Sequence, residues 1–309
     1  MIFIIGNSKD LVEPVIKHLN KISNEEVILF KADLCLENEG IGYSFTNNEV
    51  NIFADVNLSE YDLSKIETVW FWKPVLPRVL REHSPHEESV FVYRQFLALW
   101  RSLASLLKEA VWMNDYYKML EAEHKPYQLA AAQKMGFVIP DTLITSNPAK
   151  AKDFWRYCQE KMIVKTLTVS LHGNRIVFTN KVTGKFMEDI ERLKYSPVIF
   201  QRLIEKKLEL RITVVEDNVF AAVVESPSKI DWRRGLAKAS MFELPKEIRQ
   251  LCVEYVSELG LRFGCIDMIV TPNNEYCFLE INPNGQWKFI EERTGFPIGK
   301  AIANALVSK

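Results

Sequence analysis

The sequence lacks the features that would tie it to several large classes of function. Its five cysteines, Cys35, Cys158, Cys252, Cys265 and Cys277, are odd in number and widely spaced, and no two stand as C-x-x-C. That pattern excludes a disulfide framework and a thiolate zinc site, and points to thiols kept reduced in the cytoplasm. No apolar stretch approaches membrane-spanning length. The N-terminal MIFIIGNSKD has too short an apolar run for a signal peptide, with no basic region ahead of it. Neither sign of charge is in excess: 39 Lys and Arg against 40 Asp and Glu leave a formal net charge of -1, so no global field points to nucleic acid or an anionic membrane. Gly6 ends the first apolar run, but no glycines follow at the G-x-G-x-x-G spacing, so a strand-ending turn accounts for it better than a dinucleotide fingerprint. His83 and His86 stand close together without a further His or Cys, which reads as a solvated loop. There is no internal repeat, no low-complexity segment and no local Ser/His/Asp or Cys/His signature of a protein nucleophile.

What is present describes a globular protein. The 309 residues exceed the size at which one core stops growing, which predicts two or three lobes, and 48% apolar with 26% charged residues is ordinary for a soluble chain. Short apolar runs at Ile2 to Ile5, Val27 to Phe30 and Val69 to Trp72, with an amphipathic stretch around Val12 to Leu19, predict a small βαβ-like lobe. Between Val90 and Lys134 the residues Leu97, Trp100, Leu103, Leu107 and Val111 recur at steps of three and four, which predicts one long or two consecutive helices, with Asn114 as a cap. The helix carrying Lys125 to Lys134 is expected to stop at Gly136, and Pro140 to lie in an extended run from Phe137 to Thr145. Strand-like runs then dominate, at Met162 to Lys165, Arg175 to Thr179, Val198 to Gln201, Leu208 to Val215, Val219 to Glu225, Cys265 to Thr271 and Tyr276 to Ile281. Helical stretches stand at Ala149 to Glu160 and Pro245 to Leu259. This alternation predicts an α+β body with one sheet covered by helices.

The residues that carry chemistry lie in that body. In CIDMIVTPNNEYCFLEINPNGQW two apolar runs flank Pro272, Asn273 and Asn274, which predicts a β-hairpin. Asp267 lies on its first strand, and Glu280 and Asn282, two apart and so on one face, lie near the end of the second. Two carboxylates and an amide oxygen suit magnesium, which takes a few protein ligands and completes its shell with phosphate and water. A hairpin with polar residues facing solvent is the plainer alternative, but acids in the apolar FLEIN ask for a reason. Lys165 ends the strand MIVK and Lys125 lies in EHKPYQLAAA. A phosphate would satisfy both, although either could simply be solvated. In FQRLIEKKLELRITVV, the residues Gln201, Arg202, Leu203 and Ile204 could present backbone groups to an adenine edge. Glu209 and Arg211 share a face of the next strand, where a carboxylate can hold ribose hydroxyls and a guanidinium a phosphoryl group, or where the two could form a surface pair.

The order Lys125, Lys165, QRLIEKKLELR, DWRR and then Asp267 to EINPNGQW resembles the ATP-grasp superfamily. More narrowly, EAEHKPYQLAAAQKMGFVIPDTLITSNP and FLEINPNGQWKFIEERTGFPI resemble the microviridin-type (graspetide) ATP-grasp peptide maturases. The likeness is good from about Val111 to the C-terminus and weak before it, where VWFWKP stands in place of an arginine pair common in relatives. The resemblance implies an ATP-grasp fold with a mixed α/β and α+β architecture. Its lobes would be an N-terminal pre-ATP-grasp domain at 1–110, a central subdomain at 111–200 and a C-terminal subdomain at 201–309. It implies ATP and Mg2+ as cofactors. Lys125 and Lys165 would contact nucleotide phosphates, Gln201 to Ile204 would line the adenine and Glu209 would hold ribose. Arg211 and Arg233 would be catalytic, touching phosphate or an acyl phosphate, and Asp267, Glu280 and Asn282 would hold the metal.

The loop TLTVSLHGN has one glycine, Gly173, where many members have a glycine-rich cover, so Thr166, Ser170 or His172 would help close the site. The implied partner is a ribosomally made precursor peptide with leader and core segments, with no nucleic acid and no membrane, and the chain could act as a homodimer. The implied reaction activates an Asp or Glu side chain with ATP and joins it to Ser/Thr or Lys. A ligase adding a free amino acid, and a non-catalytic peptide-binding protein of the same fold, are the alternatives.

Overall fold

The computed structural model describes residues 1–7, 12–35, 39–74, 86–168, 171–172, 175–176, 178–227 and 238–308. In chain order the first half comprises β1 (Ile2–Gly6), α1 (Glu13–Ile22), β2 (Val27–Lys31), β3 (Glu39–Phe45), β4 (Val50–Val56), β5 (Ser59–Asp62), β6 (Thr68–Phe71), α2 (His86–Leu106), β7 (Val111–Trp112), α3 (Tyr116–Ala122) and α4 (Lys125–Lys134). Next come β8 (Thr142–Thr145), α5 (Pro148–Tyr157), β9 (Met162–Lys165), β10 (Leu171–His172), β11 (Arg175–Ile176), β12 (Asn180–Lys181), α6 (Gly184–Glu188) and β13 (Val198–Arg202). The last part holds β14 (Leu208–Val215), β15 (Asn218–Glu225), β16 (Lys238–Met241), α7 (Lys246–Glu258), β17 (Phe263–Val270), β18 (Tyr276–Asn282), α8 (Lys288–Thr294) and α9 (Ile298–Val307). Among the described residues no helix is long and apolar enough to cross a membrane.

The chain divides into two compact units. The first comprises Met1–Met119, Gly260–Phe263 and Pro297–Lys309. Its main sheet runs β2-β1-β6-β7, with every described pairing parallel. The unbroken apolar run Ile2 to Ile5 suits a central strand buried on both faces, and all four side chains are fully buried. The βαβ expectation is met here, and α9 lies against both α1 and β6. A separate antiparallel sheet, β3-β4-β5, occupies residues that the apolar pattern did not mark as strands.

The expectation of one or two helices over Val90 to Lys134 is corrected. The four-residue step from Leu107 to Val111 looks helical, but Val111 and Trp112 pair with Thr68 and Val69 as the sheet's edge strand. Asn114 is not a cap either. Its Oδ1 accepts from the backbone N–H groups of Arg262 and Phe263, both at 2.9 Å, and its Nδ2 donates to the Phe263 carbonyl. The cap of α3 is Asp115, whose Oδ1 accepts from the N–H groups of Tyr117 and Lys118. His83 lies outside the described residues, while His86 begins α2 and so is not part of a loop.

The second unit comprises Leu120–Leu259 and Gly264–Phe296. Where one covered sheet was expected, the strands divide between a four-stranded antiparallel sheet, β12-β9-β13-β8, a five-stranded sheet, β16-β15-β14-β17-β18, and the antiparallel pair β10-β11. The division falls at residues 203–207, which carry the chain out of the first sheet before β14 begins; apolar runs mark strands but do not record their partners. The four-stranded sheet has its own core, in which Ala151 and Cys158 meet Met162, Val182, Ile190 and Phe200. In the five-stranded sheet β17 is buried at every position, and α7 lies against β14 and β15. Phe137, Tyr255 and Phe278 form a mutual aromatic cluster with ring centroids 5.1–5.4 Å apart. Gly136, at φ +97°, ends α4 as expected.

Candidate active site

The site is built on three neighbouring strands of the five-stranded sheet, β14, β17 and β18, and on the start of α4. Alternation along β14 puts Glu209, Arg211 and Thr213 on one face. On that face Thr213 Oγ1 lies 3.6 Å from Cys265 Sγ, and Arg211 Nη1 donates to Asp267 Oδ1 at 2.9 Å. Arg211 Nη2 donates to the Gln286 carbonyl at 3.2 Å. Burial disfavours the charged guanidinium more than any single neighbour favours it, but the charge and hydrogen bond of Asp267, together with Cys265 and Glu280, outweigh it and raise the Arg211 pKa above its ordinary value.

The hairpin of β17 and β18 contains a β-bulge that decides which residues meet Asp267. From the turn inward Val270 pairs with Tyr276, Ile269 with Cys277 and Met268 with Phe278; the register then slips by one, and Asp267 pairs with Glu280 and Cys265 with Asn282. Without that slip at Leu279, the ladder would continue by setting Asp267 opposite Leu279 and would turn Glu280 to the other face. With it, Asp267, Glu280 and Asn282 share a face, and Asn282 Nδ2 lies 3.4 Å from Asp267 Oδ2.

A second cation closes the row. Lys125 is the first residue of α4, and its Nζ lies 2.9 Å from Glu280 Oε2, both side chains being less than a fifth exposed. A cation at a helix N-terminus is opposed by the helix dipole, so Glu280 is what makes this placement acceptable. The result is an alternating row, Arg211, Asp267, Glu280, Lys125, running from the central strand β14 across β17 and the edge strand β18 to the start of α4.

The other anticipated residues stand elsewhere in the unit. Lys165 is half-buried at the end of β9 in the four-stranded sheet, opposite Ile199. Gln201, in β13 of the same sheet, is buried; its Nε2 donates to Thr142 Oγ1 at 2.9 Å, and its Oε1 has no partner among the described residues. Arg202 turns away to Asp141, at 2.7 Å, and lies over the Tyr157 ring at 4.9 Å. The N–H groups of Arg202 and Leu203 are already bonded to the carbonyls of Asp141 and Lys161, so the backbone leaves the ladder only from Leu203 onward to Ile204. Glu209 is paired with Lys206. Thr166 Oγ1 donates to the Thr168 carbonyl at 2.6 Å. Arg233, Ser170 and Gly173 lie outside the described residues.

Two positions that shape the candidate site were not anticipated. A Cβ at Gly285 would fall 2.2 Å from Cys265 Cβ and 2.6 Å from Arg211 Nη2, so only glycine lets NPNGQW close over the arginine. Gln128, three residues after Lys125, is buried and binds the backbone of Ile281 between Glu280 and Asn282. The signal was available in EHKPYQ, where a spacing of three puts the amide and the lysine on one helix face.

As a metal set, Asp267, Glu280 and Asn282 offer hard oxygen donors and leave coordination sites for other oxygens, which fits magnesium beside phosphate. Among the described residues no group of three or more His, Cys, Asp or Glu side chains forms, so a closed cage of those ligands is not what this site provides. The cysteines are all free, and burial pushes the Cys252 and Cys277 thiols up to about 12, away from the reactive thiolate form.

Comparison with known proteins gives a consistent picture. A model of the RimK-like ATP-grasp domain matches residues 121–306. The chain is similar to macrocyclase MdnC from Microcystis aeruginosa MRC, solved bound with precursor peptide MdnA, at 28% identity over 100% of both chains with a TM-score of 0.88. It is similar to a RiPP-associated ATP-grasp ligase from Chryseobacterium gregarium, solved in complex with ADP and a leader and core peptide, at 29% identity over 99% of this chain and 96% of that one, with a TM-score of 0.83. Macrocyclase MdnB from Microcystis aeruginosa MRC matches at 28% identity over 100% of this chain and 99% of that one, with a TM-score of 0.81. A search of curated proteins gave no match.

Proposed function

Because the chain belongs to the RimK-like ATP-grasp family, we propose that it is an ATP-dependent peptide maturase of the cytoplasm. It would activate Asp or Glu side-chain carboxylates of a ribosomally made precursor peptide as acyl phosphates and join them to Ser/Thr hydroxyls or Lys amines, forming lactones or lactams. The observation that carries this reading is the row Arg211, Asp267, Glu280, Lys125, which sets two carboxylates between two cations, as a site for a metal ion and phosphate would need. The likeness to MdnC and to the Chryseobacterium ligase supports a precursor peptide with leader and core as substrate. In this reading residues 1–110, 111–200 and 201–309 are the N-terminal, central and C-terminal lobes.

ATP supplies the phosphoryl group that activates the carboxylate, and Mg2+ the charge that shields it. Asp267, Glu280 and Asn282 would hold the metal. Lys125 would then leave Glu280 for the phosphates, exchanging one anionic partner for another. Lys165 would contact the same phosphates. Gln201, whose buried carbonyl oxygen has no partner among the described residues, would accept from the adenine amino group, and the peptide joining Leu203 to Ile204 would meet the rest of the ring while Arg202 braces the end of β13. Glu209 would accept hydrogen bonds from ribose once Lys206 gives way. Arg211, kept charged by Asp267, and Arg233 would stabilise charge on the transferring group or the activated carboxylate. Catalysis is then positioning and electrostatics, with no side-chain nucleophile in the scheme.

Incubation with ATP, Mg2+ and a candidate precursor, followed by mass spectrometry, tests the reading. Loss of one water per crosslink together with ADP release is expected; a gain of an amino-acid residue would instead identify a ligase that adds free amino acids.

A further inference from the structure

We propose that Gln128 is a positioning residue of the magnesium–phosphate site, holding Glu280 and Asn282 in register by binding the backbone of the residue between them. The inference rests on the reading of Asp267, Glu280 and Asn282 as metal ligands. β18 is the outermost strand of the five-stranded sheet, so its outward N–H and C=O groups need partners other than a strand. Two segments supply them. Near the turn, the Phe278 N–H donates to the Val138 carbonyl at 2.8 Å. Beyond the bulge, the Gln128 side chain takes the place of a neighbouring strand: Nε2 donates to the Ile281 carbonyl at 2.8 Å, and Oε1 accepts from the Ile281 N–H at 3.1 Å.

Those two bonds act on two different peptide planes. The Ile281 N–H belongs to the peptide joining it to Glu280, and the Ile281 C=O to the peptide joining it to Asn282. One amide side chain therefore orients the backbone on the inner side of both ligands. It is itself held firmly: Nε2 also donates to the Ala122 carbonyl at 2.6 Å, the side chain is buried, and the Gln128 backbone carbonyl accepts from the buried Tyr255 hydroxyl at 2.9 Å. Lys125 lies one turn earlier on the same face of α4 and pairs with Glu280. Gln128 thus sets the distance between the metal carboxylate and the phosphate lysine as well. This is the part that outer partners play in metal sites generally, here exerted through the backbone instead of a ligand side chain.

The test measures binding rather than turnover. Mn2+, which favours the same oxygen ligands as Mg2+, is titrated into the full chain with saturating ADP and followed by electron paramagnetic resonance, and ADP binding without metal is followed by calorimetry. Gln128→Met keeps the volume and removes the three side-chain bonds. It is expected to weaken Mn2+ by about tenfold or more, while leaving metal-free ADP binding within about twofold. Tyr255→Phe, which removes one buried hydroxyl, is expected to weaken Mn2+ by about threefold. A lowered unfolding midpoint with unchanged Mn2+ affinity in Gln128→Met, or in Tyr255→Phe where the former does not fold, overturns the positioning role and leaves Gln128 a structural residue. Absence of Mn2+ binding by the wild-type protein with ADP overturns the metal reading itself, which separates the two failures.

Discussion

The second unit contains two arginine–aspartate pairs of nearly equal length in very different surroundings. Arg211 and Asp267 meet at 2.9 Å on the five-stranded sheet with side chains 4% and 12% exposed, while Arg202 and Asp141 meet at 2.7 Å beside the four-stranded sheet at 28% and 44%. The wet pair is an ordinary brace, tying the end of β13 to the residue before β8 and contributing about 0–1 kcal/mol. The dry pair carries a desolvation penalty that attraction offsets only while both partners are present. A fold that maximised stability alone would favour apolar residues there. Charge retained in that position accords with the proposed role of the site, and bond length by itself would never have separated the two.

Four substitutions would break or sharpen this contrast. Asp267→Ala should have the largest effect: it strands a buried guanidinium, which costs about 3–5 kcal/mol, and it removes a proposed metal ligand, so urea unfolding should shift strongly and crosslinking cease. A shift no larger than that of the Arg202 variant would dissolve the distinction. Glu280→Ala should abolish crosslinking while stability changes by no more than about 1 kcal/mol, because the partly exposed Lys125 can turn to water; full activity in that variant would remove Glu280 from the site. Gly285→Ala should destabilise by about 1–3 kcal/mol through overpacking, its Cβ being forced against Cys265 and Arg211. Unchanged thermal unfolding would mean that the NPNGQW turn can move away. Arg202→Ala should be the mildest, within about 1 kcal/mol in the same unfolding assay, and a loss as large as that of Asp267→Ala would show the exposed pair to be structurally essential.

Much of the fold was legible because periodicity survives in single elements. The strands β1, β2 and β6 of the βαβ lobe, β9, β13 to β15, β17, β18 and the helices α5 and α7 follow from their runs. What failed were places where a local pattern had two solutions. Leu107 and Val111 fit a helix by spacing, yet Val111 gains more as a strand beside Thr68. Likewise Asn114 has a capping side chain but uses it on Arg262 and Phe263, some 150 positions away. In the candidate site, Asp267, Glu280 and Asn282 could be named because two carboxylates and an amide gather on one hairpin, and acids in an apolar run are costly without a partner, whereas Lys125 and Arg211 were named through the resemblance to the ATP-grasp pattern. Gln128 and Gly285 could not, since one acts through a backbone and the other through the absence of a side chain.

The sequence by itself determined the kinds of element, their order and the chemical inventory of the site: two lysines, an acid and an arginine two apart on one strand, and two acids and an amide on a hairpin. Only the tertiary structure decided which of these meet. The alternation of a strand has period two, so Glu280 and Asn282 must share a face, but nothing local says that the face is the one bearing Asp267. A single bulged residue makes that choice, Gly285 lets the following turn close over Arg211, and Gln128 holds Ile281 from 153 residues away. Spacing fixes neighbours along a strand, whereas contact between strands depends on register, and register is settled by packing.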